Sequence, residues 1–467
     1  MHYIGSIAFH QIVNFLLLPV YSRVLSTTDF GYLGYLQTVI FFVSITNALS
    51  LNAFYVRNYY RYEYPGQLTA TLFYFLIIIN IFFVGFELVL LFYITKFMEI
   101  QIPFWPYIVL AFSGYFFTSF NLIPQRYLRM NSFSQQYMLT IVGTVILDNL
   151  FSMVLIWYFH WGAEGRLLGS ALAGFVMAIY YSVLIFRNAG FHLKYEILKK
   201  GLMFSMPLLW GSYALAFLSI TDRLILERFI GINQLGVYSM AVLVGTSSKV
   251  IINALLIVIE SKVYQFEKND RFNEKFLHLK RYFFFAVASL IGFYILFSKE
   301  IVMILLTPEY SNAVWMIPLI AAASFFNASM WLNNQLLMIK NKTAVISNIV
   351  SVSAGVNIVA NLIFIPYFQI LAATMISLLV YIGASFLNAL WVKRHYLALY
   401  NYSYEIFIAG CFMFLFGIRS LIDSYNIFII LFSKLAFFGI FIGTLILFFK
   451  ISPKNLQFFF TKKDQNY

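Results

Sequence analysis

Between Leu68 and Thr95 the chain reads LTATLFYFLIIINIFFVGFELVLLFYIT, a stretch whose one charged side chain is Glu87. A helix crosses the ~30 Å hydrocarbon core of a bilayer with about 20 apolar residues. Strands of a membrane barrel alternate apolar and polar positions, whereas this run is apolar at both parities. Runs of the same kind recur to the end of the chain, so that 62% of the 467 residues are hydrophobic and 10% are charged. A soluble domain has about 25% charged residues, and a chain so far below that cannot build a water-facing surface. The expected class is an all-α integral membrane protein.

Polar and Pro/Gly-containing intervals divide the chain into fourteen apolar segments, at 3–24, 31–55, 68–95, 104–124, 133–159, 167–186, 201–221, 236–260, 282–298, 313–338, 344–366, 370–391, 406–421 and 427–449. The segment at 406–421 is the weakest, and twelve spans plus an interfacial pair is the alternative count. The first run continues past Leu18 to a basic residue and a loop, unlike a cleavable signal, and is expected to stay as a span. Cytoplasmic loops carry an excess of Lys and Arg. With the N-terminus inside, 22 of the 31 basic residues fall in inner loops and 7 in outer ones, while Lys249 and Lys434 fall within spans. Both ends are therefore expected in the cytoplasm.

This organisation excludes several kinds of chemistry. The longest loop, around 261–281, has about twenty residues, too few for a soluble catalytic domain. GINQLG at 231–236 has the spacing of a phosphate loop, but Val237 and Tyr238 follow where Lys and Ser/Thr are needed. The six histidines are scattered, Cys411 is the single cysteine, and no serine-centred nucleophile elbow is present. No nucleotide, metal or cofactor site is expected, and nothing points to a nucleic-acid partner.

An internal repeat is suggested at an offset of 205. It places Arg23 on Arg228, Gly31 on Gly236 and Arg57 on Lys262. Six spans separate the matching stretches SRVLSTTDFGYL (Ser22–Leu33) and ERFIGINQLGVY (Glu227–Tyr238). The expected architecture is two parallel six-helix bundles, at 1–200 and 201–398, around a central cavity, with two further helices and a short tail at 399–467. Repeats of this kind place a transported substrate between the halves.

NFLLLPVYSRVLSTTDFGYLGYLQ (Asn14–Gln37) resembles the opening of the Wzx-like polysaccharide flippases, the O-antigen and capsule repeat-unit exporters of bacteria. That family belongs to the multidrug/oligosaccharidyl-lipid/polysaccharide exporter superfamily. MPLLWGSYALAFLSITDRLILERFIGINQLGVYSMA (Met206–Ala241), LLTPEYSNAV (Leu305–Val314) and NLIFIPYFQILAAT (Asn361–Thr374) fit it too. The Asp222-Arg223 pair followed by LGVYSMA is the most specific element. Where relatives usually have glycines after the Ile-Pro turn, this chain has Gln369 and Ala372. The resemblance implies a flippase of the bacterial inner membrane working by alternating access. Its cargo would be an undecaprenyl-diphosphate-linked oligosaccharide, and its partners the polysaccharide polymerase and chain-length machinery. No ATP site being present, an ion gradient or the membrane potential would drive it.

A diphosphate headgroup cannot cross bare hydrocarbon, where a charge costs from a few to over ten kcal/mol. Cationic side chains in a wet cavity remove most of that cost. Lys249, mid-span in VLVGTSSKVIINALL with no acidic residue within four positions, is the leading candidate to bind the diphosphate. Arg57, Arg61 and Lys262 stand at the inner ends of spans two and eight, where orientation alone also favours basic residues. Arg23 and Arg228 stand at outer ends, against that bias. They would bind the headgroup on exit, or pair with Asp29 and with Glu227 and Asp222. Glu87 and Asp148 are acidic residues within spans, candidates to couple a proton or cation, or to neutralise Lys249 or Lys434. Pro19 and Pro207, in the first helix of each half, are candidate hinges. Small-residue stripes at Gly165, Gly169 and Ala173 and at Gly439 and Gly443 are expected to mark close helix packing. An organic-cation antiporter of the same superfamily is disfavoured by the basic residues. A membrane polymerase is disfavoured by the short loops.

Overall fold

A computed structural model of the chain describes residues 2–266, 271–395, 402–422 and 427–451. Lys268, Lys454, Lys462 and Lys463, counted above among the inner basic residues, lie outside the described residues. The helices in chain order are α1 (His2–Leu16), α2 (Leu18–Val24), α3 (Thr27–Ala48), α4 (Leu51–Asn58), α5 (Pro65–Met98), α6 (Val109–Ser119), α7 (Pro124–Met130), α8 (Ser134–Trp157) and α9 (Ala163–Ala189). They continue with α10 (Tyr195–Leu226), α11 (Ile232–Thr246), α12 (Lys249–Phe266), α13 (Phe272–Leu296), α14 (Ser298–Leu305), α15 (Met316–Ile339), α16 (Thr343–His395), α17 (Ser403–Ile422) and α18 (Ile427–Phe449). Among the described residues there is no strand.

Eleven helical stretches are long and apolar enough to cross a membrane, or twelve if α3 and the α4 segment, bent by 49° at a short break, count as one span. Two elements exceed one crossing. The 34 residues of α5 measure about 50 Å at 1.5 Å per residue. Helix α16 has 53 residues and is broken at Gln369, whose φ of 49° is one that a non-glycine side chain rarely adopts. Pro366, three residues earlier, already removes a backbone hydrogen bond from this turn. The backbone at this position thus favours glycine, and glutamine holds it under strain.

The chain forms two compact units. One comprises Met1–Met240, Leu305–Tyr310 and Ala354–Ala373. In it α9 packs on α8 and α6, and the small residues explain how closely. A Cβ at Gly169 would overlap Ser152 of α8, one at Gly165 would lie 3.3 Å from Ile156, and one at Gly174 would lie 3.1 Å from Phe117. Asp29 ties this packing to α3. Its side chain accepts from the Ser26 backbone N–H at 2.9 Å, and also from the backbone N–H of Ala163, the first residue of α9, at 2.8 Å. Two helix N-termini share one carboxylate, which satisfies exposed donors at both. The remainder, Ala241–Ile304, Ser311–Ser353 and Thr374–Tyr467, forms the second unit. Its centre is α15, flanked by α12, α13 and α17. A buried ion pair joins Lys280 to Glu405 at 3.2 Å, and a second joins Lys434 to Glu300 at 2.8 Å.

Outward-facing side chains are apolar over much of the molecule, among them Phe82, Phe86, Phe97, Trp210 and Phe432. Such a surface suits lipid, and the backbone polar groups behind it are satisfied within helices as lipid demands.

The starts of α3 and α11 pack against each other. Thr28 donates to Asn233 Oδ1, a Cβ on Gly236 would stand 2.9 Å from the Gly31 nitrogen, and a Cβ on Gly34 would overlap Ser239. Each contact joins a residue to the one 205 positions later. The starts of α3 and α11 therefore approach closely, each leaving room for the other.

Pro19 lies in the first turn of α2, directly after an interruption at Leu17, whereas α10 continues through Pro207. The second small-residue stripe differs from expectation. Gly439 and Gly443 have nothing within 4 Å of a would-be Cβ, so no neighbour is packed there among the described residues.

Candidate functional site

Leu49 and Ser50 adopt left-handed backbone angles, with φ of 47° and 50°, and separate α3 from α4. A break in a membrane helix frees carbonyls that the hydrocarbon cannot satisfy, and side chains do so here. Asn80 Nδ2 of α5 donates to the Asn47 carbonyl at 3.3 Å, and Ser205 Oγ of α10 donates to the Ser50 carbonyl at 3.2 Å.

A cavity of about 330 Å³ opens at this break. Its walls are Ser44, Ile45 and Ala48 of α3, Ser50 and Asn52 at the break, Tyr115, Thr118, Ser119, Asn121 and Leu122 at the end of α6, and Ser212 of α10. Eight of these eleven residues carry a hydroxyl or an amide, and none carries a charge. The arrangement is suited to a neutral, hydroxyl-rich group such as a sugar, within the size range of ligand pockets.

Glu87 of α5 belongs to a second polar group beside the same break. Asn47 Nδ2 donates to Glu87 Oε2 at 3.2 Å. Tyr115, a wall of the cavity, lies within electrostatic range of Glu87. Asn80 Oδ1 is buried with no hydrogen-bond partner among the described residues, and the Tyr115 hydroxyl lies against the Asn47 side chain.

Asp148 of α8 is held differently. Arg166 grips it with both guanidinium nitrogens, at 2.7 and 2.8 Å, and Ser170 Oγ donates to it at 2.7 Å. The guanidinium also covers the Tyr21 ring at 5.3 Å from its centre, and Tyr21 in turn donates to Asn149. This fork geometry is the strong form of a carboxylate–guanidinium contact. The partners of the in-span carboxylates differ from expectation. Asp148 pairs with Arg166, which the loop count had placed outside, and Lys434 pairs with Glu300 rather than with Glu87 or Asp148. Lys434 is fully buried. The reason is that helices extend beyond the apolar segments. Arg166 lies in the first turns of α9, within reach of α8.

The predicted cations occupy several places. Lys249 is the first residue of α12, half-buried, after a break at Ser247 and Ser248 where Ser247 meets the Tyr294 hydroxyl at 2.7 Å. Lys262 is half-buried on the same helix, about 20 Å further along at 1.5 Å per residue. Arg57 is exposed at the end of α4, its guanidinium 4.8 Å from the Phe204 ring centre, and Arg61 is exposed one turn beyond. Arg23 is exposed in α2. Arg228 donates to the Met98 carbonyl at 2.6 Å, where a cation complements the C-terminal dipole of α5. The acidic residues considered for Arg23 and Arg228 have further partners, while Glu227 stays within electrostatic range of Arg228. Asp29 caps α3 and α9, Glu227 accepts from the Gln101 backbone at 2.8 Å, and Asp222 accepts from the Tyr238 hydroxyl. The Asp222 bond links α10 to α11, and so joins the two parts of the most specific sequence motif.

Asn47, Asn80, Tyr115 and Arg166 were not singled out from sequence. Asparagines and a tyrosine inside apolar runs barely alter hydropathy. The available signal was that break residues and short polar side chains fall on neighbouring spans.

Residues 20–315, more than half of the chain, match the family described as "Polysaccharide biosynthesis protein". The chain belongs to that family. No curated protein matches the sequence. Among solved structures, "Lipid II flippase MurJ, inward closed conformation" superposes with a TM-score of 0.75 at 12% identity, over 95% of this chain and 98% of that one. An inward-facing multidrug resistance MATE family transporter of the MOP superfamily gives 0.66 at 13%, over 83% and 95%. A MOP superfamily transporter from Pyrococcus furiosus gives 0.54 at 12%, over 86% and 95%. This member of the polysaccharide biosynthesis family thus has the fold of MurJ and the MATE transporters.

Proposed function

We propose that the protein carries undecaprenyl-diphosphate-linked oligosaccharide repeat units from the cytoplasmic to the outer leaflet of the bacterial inner membrane. The observation that carries this reading is the family match over residues 20–315. Fourteen spans would be reached by counting α1 with α2 as one span, α3 with α4 as one, and α16 as two. Both termini would be cytoplasmic, and the halves at 1–200 and 201–398 would alternate access about a shared cavity, with 399–467 accessory. Lys249 would bind the diphosphate. Its counterpart at the offset of 205 is Ser44, a wall of the hydroxyl-lined cavity. Arg57, Arg61 and Lys262 would gather the headgroup at the inner surface, and Arg23 and Arg228 would receive it at the outer one. Pro19 and Pro207 would act as hinges, and the polymerase and chain-length machinery would take the product. The cavity supports the sugar part of the reading, because neutral hydroxyls and amides exchange hydrogen bonds with sugar hydroxyls without a desolvated charge.

Lys249→Ala is expected to abolish surface glycan while the protein remains inserted, and Lys249→Arg to keep part of the export. Normal export by Lys249→Ala would overturn the assignment. In a Cys411→Ser background, an impermeant thiol reagent applied from outside should label Gln234→Cys and not Asn341→Cys. The opposite pattern would invert the topology.

A further inference from the structure

Hydrogens to donate, rather than polar groups, are what the hydroxyl-lined cavity is short of. A serine or threonine hydroxyl carries one hydrogen and two acceptor lone pairs. Ser44 Oγ gives its hydrogen to the Phe41 carbonyl at 2.7 Å, and Thr118 Oγ1 gives its own to the Tyr115 carbonyl at 2.9 Å. Ser119 Oγ donates to the Phe116 carbonyl at 2.7 Å, and Ser212 Oγ to the Leu208 carbonyl at 3.2 Å. Each bond stays within the residue's own helix and leaves the oxygen able only to accept. Four wall hydroxyls on α3, α6 and α10 are therefore acceptors. We propose that this cavity is a specificity site that takes one uncharged sugar ring and turns away acidic and amino sugars. The selectivity deepens the transport reading, and its use in export rests on that reading.

Hydrogen-bond polarity decides the class of ligand. A sugar hydroxyl donates to such an oxygen without disturbing the helix behind it, and Asn52 and Asn121 add amides that both donate and accept. A carboxylate or phosphate oxygen has no hydrogen to give and would set lone pairs against lone pairs. Turning a wall hydroxyl round to serve it would break the bond to the helix carbonyl. Among the eleven walls there is no Lys or Arg to offset the water an anion must shed. The diphosphate, excluded on the same grounds, would be held outside the cavity. An ammonium could donate, but no wall carries a carboxylate to balance it, and an isolated charge at membrane depth is costly. A donor-rich ligand without charge is what remains.

Size and shape narrow the class further. At about 330 Å³ the cavity lies near the lower end of the roughly 300–1,000 Å³ of ligand pockets, which suits a single ring rather than a whole repeat unit. Ile45, Ala48, Leu122 and the Tyr115 ring supply apolar walls for the C–H faces that a sugar ring presents between its hydroxyls. All eleven walls fall within Met1–Met240 of the first compact unit, so the site is complete without the second. The acceptors come from three helices, and only a ligand whose hydroxyls match their spacing meets them together.

The test uses saccharides small enough to enter alone. Methyl glycosides of glucose and galactose, with the corresponding uronates and amino sugars, are titrated against the purified full chain in lipid nanodiscs and followed by saturation-transfer NMR. The pH is one at which the uronates are ionised and the amines protonated. The better neutral glycoside is expected to bind about tenfold or more tightly than either charged counterpart. Thr118→Val keeps the shape of the wall but removes an acceptor, and should weaken that binding by about threefold to tenfold. Thr95→Val removes a threonine that makes the same bond to its own helix outside the cavity, at 3.0 Å to the Phe92 carbonyl, and should bind like the parent. Ser44→Lys, which puts a cation in the wall, should shift the preference toward the uronate. Binding of neither neutral glycoside, equal binding of a charged counterpart, unchanged affinity in Thr118→Val or an unchanged preference in Ser44→Lys overturns the proposal. Absence of selectivity with export still dependent on Lys249 sinks the cavity assignment alone. Selective binding with normal export by Lys249→Ala sinks the diphosphate part of the flippase reading and leaves the site.

Discussion

Two carboxylates stand within the spans of the first compact unit, and the protein treats them in opposite ways. Asp148 is gripped by a guanidinium and a serine hydroxyl, with nothing left to bind. Glu87 meets a neutral group, the Asn47 amide. A carboxylate closed by a fixed cation is a fastening, since neither partner can leave without stranding a charge. One met only by a neutral amide strands no charge when that partner is removed. The same residue class is therefore fastened by charge in one place and not in the other.

The largest expected effect tests the fastening. Arg166→Ala should cost about 3–5 kcal/mol by stranding Asp148, read as a fall in melting temperature of the purified protein. Asp148→Asn combined with Arg166→Gln should recover most of that loss, because neither charge is left alone. If the single variant melts like the parent, the contrast between the two carboxylates fails. Asn80→Leu should have an intermediate effect, about 1–3 kcal/mol, since it removes the donor to the freed Asn47 carbonyl. Glu87→Gln should have the smallest effect on stability, within about 1 kcal/mol, as no paired charge is lost. A large loss in Glu87→Gln would show Glu87 to be a fastening as well.

How much of this was legible in the sequence depends on distance along the chain. Apolar runs are local, so the helical membrane class and most helices could be written down from Leu68–Thr95 and its like. The break within α16 was foreshadowed by Pro366, where one apolar segment ends before the next begins at 370. The partner of Asp148 was not legible. Arg166 follows it by eighteen positions on another helix, across a turn, and a charge beside a turn reads as part of a loop. Lys280 was hidden in the same way, counted among the inner-loop basic residues although it is buried against Glu405. Glu87 was visible as a charge in an apolar run, but its setting depends on Asn47 and Tyr115 from two other helices. Hydropathy identifies which side chains are out of place and is silent about what they touch.

The crossing of α3 and α11 has a consequence of its own. Thr28 meets Asn233, Gly31 meets Gly236 and Gly34 meets Ser239. Positions that face their own equivalents belong to an isologous interface, the kind two identical chains form about a two-fold axis. In a true homodimer each such pair must be alike, so a side chain added on one side is added on the other and collides with it. A single polypeptide is free of that constraint: Ser239 projects into the space that Gly34 keeps vacant, and a threonine donor faces an asparagine acceptor.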